Sequence, residues 1–104
     1  MRKPWRLDAG ARRDITEAAN WHEAKEPGLG VAFTDVFEGR LEAAEETPGM
    51  ATQVLVGGEA YRRVPLRAFA YSIWAVELET VYLVLVVSHQ RRDNAHWLKR
   101  SPKR

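Results

Sequence analysis

Residues 89–97 concentrate side chains that can bind a phosphate ester and transfer protons to and from it. His89, Arg91, Arg92 and Trp97 fall within nine positions, directly after the apolar run 81–87. An imidazole can accept or donate a proton near neutral pH, and a guanidinium fork matches phosphate oxygens. These residue types suit RNA cleavage without a metal. In that reaction a 2′-hydroxyl loses a proton, a charged phosphorane forms and a 5′-oxygen gains a proton.

Each of these residues also has a purely structural interpretation. His89 could close the preceding strand by bonding a backbone carbonyl, and either arginine could pair with a neighbouring carboxylate. Trp97 could stack on a base, but an indole more often packs a helix onto a sheet. His22 and His96 are expected to be surface histidines or histidines with satisfied hydrogen bonds. No set of metal ligands stands out, so no metal and no cofactor is predicted.

Basic residues concentrate in the second half of the chain. Residues 1–50 hold seven Lys or Arg and ten Asp or Glu, a net charge of −3, whereas residues 51–104 hold nine and four, a net charge of +5. This asymmetry favours an anionic partner such as nucleic acid or an acidic protein, with a solvated basic tail as the alternative.

Length and composition favour one soluble domain over residues 1–104. The chain has 104 residues and no cysteine, which excludes disulfide and thiolate chemistry and fits the cytoplasm. The longest apolar run is too short to span a membrane, and the basic N-terminus lacks the apolar segment of a secretory signal.

The hydrophobic pattern predicts an α+β fold. A short edge strand at 3–7 precedes two helices, 9–26 with Asp8 as its N-cap and 29–44, which should pack as a hairpin. Residues 52–56 fit either a strand or an irregular lead-in. Further strands are predicted near 60–64, 67–77 and 81–87, with a short helix at 93–100. The unbroken apolar run 81–87 indicates a central strand buried on both faces.

The predicted strands place further arginines near the histidine and arginine segment. Arg63 and Arg67 would point the same way if the strand continued regularly through Pro65, with Arg62 on the opposite face. By the same alternation, Tyr71 shares a face with Ile73 and Ala75. Arg63 and Arg67 are therefore candidates for binding nucleic acid or an acidic partner.

Four segments together resemble the RelE/ParE superfamily of type II toxin–antitoxin toxins. They are RRDI.EAANWHE at 12–23, GLGVAFTDVFEGRLEAAEETPG at 28–49, RRVPLRAFAYSIWAVE at 62–77 and VLVVSHQRRDNAHW at 84–97. The last is the specific one, since the family commonly shows an aliphatic strand that ends in HQRRDPxxW. Ala70 and Asn94 stand where the family usually has proline.

The resemblance implies a helical hairpin packed on a small, mainly antiparallel sheet of about four strands. It implies a cytoplasmic toxin that inhibits growth, of the kind that serves plasmid stabilisation, bound to its cognate antitoxin in a hetero-oligomer. Arg91 would be catalytic, since it matches the catalytic arginine of RelE-like toxins, and His89 is the second catalytic candidate because its imidazole can transfer a proton. Arg63, Arg67, Arg92 and Trp97 would bind nucleic acid or the antitoxin.

The resemblance leaves the target open. RelE-like members cleave messenger RNA on the ribosome, which would make this chain an RNA-binding, metal-independent mRNA endonuclease. ParE-like members poison DNA gyrase, and other members have lost activity and persist as binding modules. RelE-like nucleases often use a lysine cluster, whereas all four lysines of this chain lie outside the predicted strands from residue 52 onward.

Overall fold

A computed structural model describes residues 3–90, in which two helices pack on one face of a sheet. The elements are β1 Trp5–Leu7, α1 Ala9–Lys25, α2 Leu29–Glu46, a 3-10 turn at Pro48–Met50, β2 Thr52–Val56, β3 Glu59–Pro65, β4 Tyr71–Glu77 and β5 Tyr82–His89. The predicted α+β class and helical hairpin are confirmed. The predicted helix at 93–100 lies outside the described residues.

The described part of the sheet has five strands in the order β1-β5-β4-β3-β2. Strand β1 pairs with β5 in parallel, and the other three pairings are antiparallel. The expected number of about four strands was therefore one too low. Residues 52–56, for which a strand and an irregular lead-in were both open, form the strand β2. The parallel pair exists because the whole helical hairpin and the meander separate β1 from β5, which leaves room for the crossover that parallel pairing requires.

Strand β5 is an interior strand between β1 and β4 and is buried on both faces, as its unbroken apolar run predicted, although β4 and not β5 is the middle one of the five described strands. On the face that α1 and α2 cover, here called the helix face, Val84 and Val87 join the main core with Phe33 and Phe37. On the opposite face a second apolar cluster contains Tyr61, Trp74, Val76, Leu85 and Val86.

The turn between the two helices is fixed by one carboxylate. Both oxygens of Glu23 accept the N–H of Gly28, and Oε1 also accepts the N–H of Gly30 at 2.9 Å. These bonds lower the pKa of Glu23. Gly30 allows the helices to approach, since a Cβ there would lie 2.8 Å from the carbonyl oxygen of Ala19.

Residues 67–70 form a loop, so the prediction of a strand from 67 was wrong. Arg67 and Ala70 both have positive φ, +73° and +57°, which no strand accommodates. One local and one long-range hydrogen bond hold the loop: the Leu66 N–H donates to the Tyr71 carbonyl across its ends, and the Gln90 N–H donates to the Ala70 carbonyl at 2.7 Å. The proline that the family usually has at position 70 would not fit here, because proline fixes φ near −65°.

Helix α1 holds the outer edge of β5 where β1 ends. The Asp8 N–H donates to the Val84 carbonyl, and the Val87 N–H donates to Oδ2 of Asp14 at 2.9 Å. Asp8 also caps α1, since its side chain accepts the N–H of Ala11. One helix therefore fixes the position of the last residues of β5.

We expect Ala70→Gly to stabilise the protein by about 0.5–1 kcal/mol, because glycine removes the cost of a left-handed alanine. Urea denaturation checks this, with Ala68→Gly as the control. Ala68 lies in the same loop without a positive φ, so glycine there should only add unfolded-state entropy and lower stability. Equal effects of the two substitutions would contradict the proposed origin of the strain.

We expect Asp14→Ala to lower the free energy of unfolding by about 1.5–3 kcal/mol, the usual range for a hydrogen bond to a charged group. The loss leaves the Val87 N–H without its acceptor. Glu17→Ala on the same helix is the control, since Glu17 is exposed and should change stability by less than about 0.5 kcal/mol. Similar losses in both variants would show that the Asp14 bond does not hold the strand.

Candidate functional site

His89 lies on the helix face because β5 contains a bulge. Trp74 pairs with Val86 but Ala75 pairs with Val84, so β5 carries one extra residue, Leu85, at this point of the ladder. The extra residue reverses the alternation of side chains beyond it. His89 consequently stands opposite Tyr71, with ring centroids 5.3 Å apart in an edge-to-face contact.

A cavity of about 570 Å³ opens between α1 and the end of β5; it is called here the helix-face cavity. Helix α1 contributes one stripe at spacings of three and four residues, which places these side chains on one side of the helix. The lining residues are Asp14, Glu17, Ala18, Trp21, His22, Phe69, Tyr71, Val87, Ser88 and His89.

His22 sits within an aromatic cluster beside this cavity. Its ring contacts Phe33, Phe69, Tyr71 and Trp21 at centroid distances of 4.9–5.8 Å. The Nε2 atom is buried, and the described residues give it no hydrogen-bond partner. The expectation of a surface or satisfied histidine was therefore wrong, since His22 is half-buried. Burial lowers the pKa of His22, and the nearby His89 lowers it further.

A second cavity of about 290 Å³ lies on the opposite face; it is called here the opposite-face cavity. Arg63 lines it, with its guanidinium carbon 6.0 Å from the centroid of Trp74 and its Nε donating to Oγ of Ser72 at 3.2 Å. This contact with an aromatic ring holds the side chain in place. The lining residues are Val54, Arg63, Ser72, Trp74, Ser88, His89 and Gln90.

The neighbouring arginines have other environments. Arg62 lies on the helix-face side of β3 and pairs with Glu77 at 3.3 Å, and Glu77 also binds Lys3. Hydrogen bonds from Lys3 and Arg62 lower the pKa of Glu77. Arg67 is exposed in its loop near Arg40, which donates from Nε to the Pro65 carbonyl. Burial, followed by the positive charge of Arg67, lowers the pKa of Arg40.

The structure therefore brings some predicted residues together and separates others. His89 and Arg63 line the same opposite-face cavity, whereas Arg67 does not. The strand ends at Pro65 and Arg67 has a positive φ, so the regular strand on which a shared face for Arg63 and Arg67 depended does not form. Tyr71 does share a face with Ile73 and Ala75, as predicted. Three predicted site residues lie outside the described residues, namely Arg91, Arg92 and Trp97.

Sequence reasoning missed the contribution of α1 to the site. Trp21 and His22 fall on the stripe of α1 that begins at Asp14, and this stripe was the available signal. Within residues 3–90 no three His, Asp or Glu side chains converge as a metal ion would require. Neither described helix has the length and apolar character of a membrane span.

We expect His22 to make the protein less stable in acid. Because its pKa is lower in the folded state, the unfolded state takes up more protons as the pH falls below about 6.5, the ordinary histidine pKa. His22→Phe should therefore gain stability over wild type at pH 5, and that gain should shrink by pH 8. Urea denaturation at both pH values measures it, and a gain that does not change with pH would contradict the assignment.

No protein-family model matches the chain, and no curated protein matches it significantly.

Proposed function

We propose that this chain is the cytoplasmic toxin of a type II toxin–antitoxin module and that it cleaves messenger RNA on the ribosome. The observation that carries the proposal is the position of His89 at the end of β5, where it lines both cavities and shares one of them with Arg63. The four-segment resemblance to the RelE/ParE superfamily supports the same function, and so does the α+β arrangement of two helices on a sheet.

Arg63 is suited to bind the RNA backbone. Its contacts with the described residues use Nε and the face of the guanidinium, so its terminal nitrogens form no described hydrogen bond. A guanidinium held in this way offers phosphate two parallel donors.

His89 provides one of the two proton transfers. The 2′-oxygen forms a bond to phosphorus while the bond from phosphorus to the 5′-oxygen breaks, leaving a cyclic phosphate and a 5′-hydroxyl. A base removes the 2′-hydroxyl proton and an acid supplies the proton on the 5′-oxygen. In this proposal Arg91, from the family resemblance, stabilises the charged phosphorane, and Arg92 and Trp97 hold the flanking RNA.

The proposed partner is an antitoxin with an acidic segment that orders on binding. Its carboxylates would compete with phosphate for Arg63 and for the basic residues that follow β5. Charge complementarity between such a segment and the +5 half of the chain supports this mode of inhibition.

A second candidate is a toxin that binds and poisons DNA gyrase. The observation that favours it is that no lysine lies between residues 26 and 98, a range that includes strands β2 to β5. Under this candidate, induction produces DNA-damage signalling and trapped gyrase–DNA complexes, and messenger RNA stays intact. A third outcome, no growth effect at all without antitoxin, would indicate a binding module that has kept the fold.

We expect Arg63→Ala and His89→Gln to reduce mRNA cleavage by at least about tenfold, the effect of losing one phosphate contact or one proton transfer. Arg91→Ala should abolish growth inhibition while leaving the fold and antitoxin binding intact. Primer extension on mRNA in a translating extract measures cleavage. The control is Arg62→Ala, which removes a neighbouring arginine paired with Glu77 on the other face.

Two results would contradict the nuclease proposal. One is intact mRNA in extracts that contain active wild-type protein, with DNA damage on induction in cells. The other is an equal loss of cleavage in the Arg62 and Arg63 variants, because this would indicate a general effect of positive charge.

A further inference from the structure

The helix-face cavity has the size and walls of a site for a planar ligand. Its volume of about 570 Å³ lies within the usual range of small-molecule sites, about 300–1,000 Å³. Trp21, Phe69, Tyr71 and two histidines line it. Trp21 is 57% exposed, so its ring contributes little to the core and is available to a ligand. The Nζ of Lys25 lies over the Trp21 ring, 4.8 Å from the ring centroid, and His22 meets that ring edge-on.

We propose that the helix-face cavity binds a guanine base of the RNA beside the phosphate at His89, an inference that rests on the proposed nuclease function. Single-stranded RNA is recognised chiefly by bases that leave the stack and lie against aromatic side chains. His89 belongs to this cavity as well as to the one that holds Arg63. A phosphate at His89 therefore has an aromatic cavity next to it for a flanking base.

The charges of the cavity select a base over the backbone. Asp14 and Glu17 line it, and two carboxylates repel a phosphate. The Glu17 carboxylate is exposed and makes no described hydrogen bond or ion pair. A carboxylate only accepts hydrogen bonds, through two oxygens set side by side. Guanine is the RNA base with two adjacent donors on one edge, N1–H and the 2-amino group, so it matches Glu17 best.

Binding of nucleosides to the intact protein tests the site without requiring cleavage. Guanosine, inosine and adenosine are titrated separately, and the backbone amide signals of Ser88 and His89 are followed by NMR. Inosine differs from guanosine only by the missing 2-amino group. We expect guanosine to bind about tenfold more tightly than inosine, the value of one hydrogen bond to a charged group, and adenosine to bind no better than inosine.

Three variants assign the contacts. Trp21→Ala should weaken guanosine binding about tenfold through the lost stacking. Glu17→Gln should bring the guanosine and inosine affinities within about twofold of each other. The control Glu38→Gln removes an exposed carboxylate of α2 away from the cavity and should leave both affinities unchanged. Amide spectra of each variant confirm that the fold is kept.

Several outcomes would overturn the proposal. Equal affinities for the three nucleosides would contradict the assignment of guanine. If no nucleoside changes the amide chemical shifts of Ser88 or His89, the cavity is not the binding site. Tighter binding of N-acetyl-arginine amide than of guanosine would show that the cavity takes an arginine of a protein partner instead.

Cleavage of RNA separates this inference from the proposed function. If the extract shows cleavage that favours sites next to guanine, and Glu17→Gln loses that preference, both proposals hold. Cleavage with no such preference, unaffected by Glu17→Gln, overturns the guanine assignment alone. Selective guanosine binding without any mRNA cleavage overturns the nuclease function and leaves the guanine site standing.

Discussion

One irregularity in β5 decides which side chains meet at the candidate site. The register of β5 against β4 shifts by one residue at Leu85, so Leu85 and Val86 both lie in the apolar cluster of the opposite face. Beyond them the alternation is reversed, which puts His89 beside Tyr71 under the helices and Ser88 on the other side. The carboxylate of Asp14 then holds this part of β5 by accepting the Val87 N–H.

The two faces of the sheet consequently carry cavities with different lining side chains, and His89 lines both cavities. On the opposite face, Arg63 rests against Trp74 and presents donors suited to phosphate. On the helix face, the aromatic rings and the carboxylates of α1 suit an uncharged planar group. A ligand that occupies both cavities must pass the end of β5. On the proposal that the substrate is RNA, a backbone phosphate would lie at Arg63 and a flanking base in the helix-face cavity.

The two helices and most strands of the sheet could be predicted from the local pattern of apolar, polar and capping residues. Asp8 is a good N-cap and does cap α1, and the stripe that includes Phe33 and Phe37 is the buried side of α2. The loop at 67–70 could not be predicted in this way, because residues rich in β-branched and aromatic types surround it. The Ala70 carbonyl in this loop accepts the N–H of Gln90, a partner 20 residues away that only the folded sheet brings near. The surroundings of His22 were mispredicted for the same reason, since the rings around it come from α2, the 67–70 loop and β4.

The sequence by itself determined that residue types suited to phosphate chemistry follow a buried strand, and that two amphipathic helices cover a sheet. Apolar periodicity and capping residues act over a few positions, so they can be interpreted without knowledge of the fold. Tertiary structure alone decided the face on which His89 lies, because every residue from 81 to 87 is apolar and either register would bury them. It also decided that α1 contributes Trp21 and Glu17 to the cavity, since helix packing sets which stripe of α1 meets the end of β5.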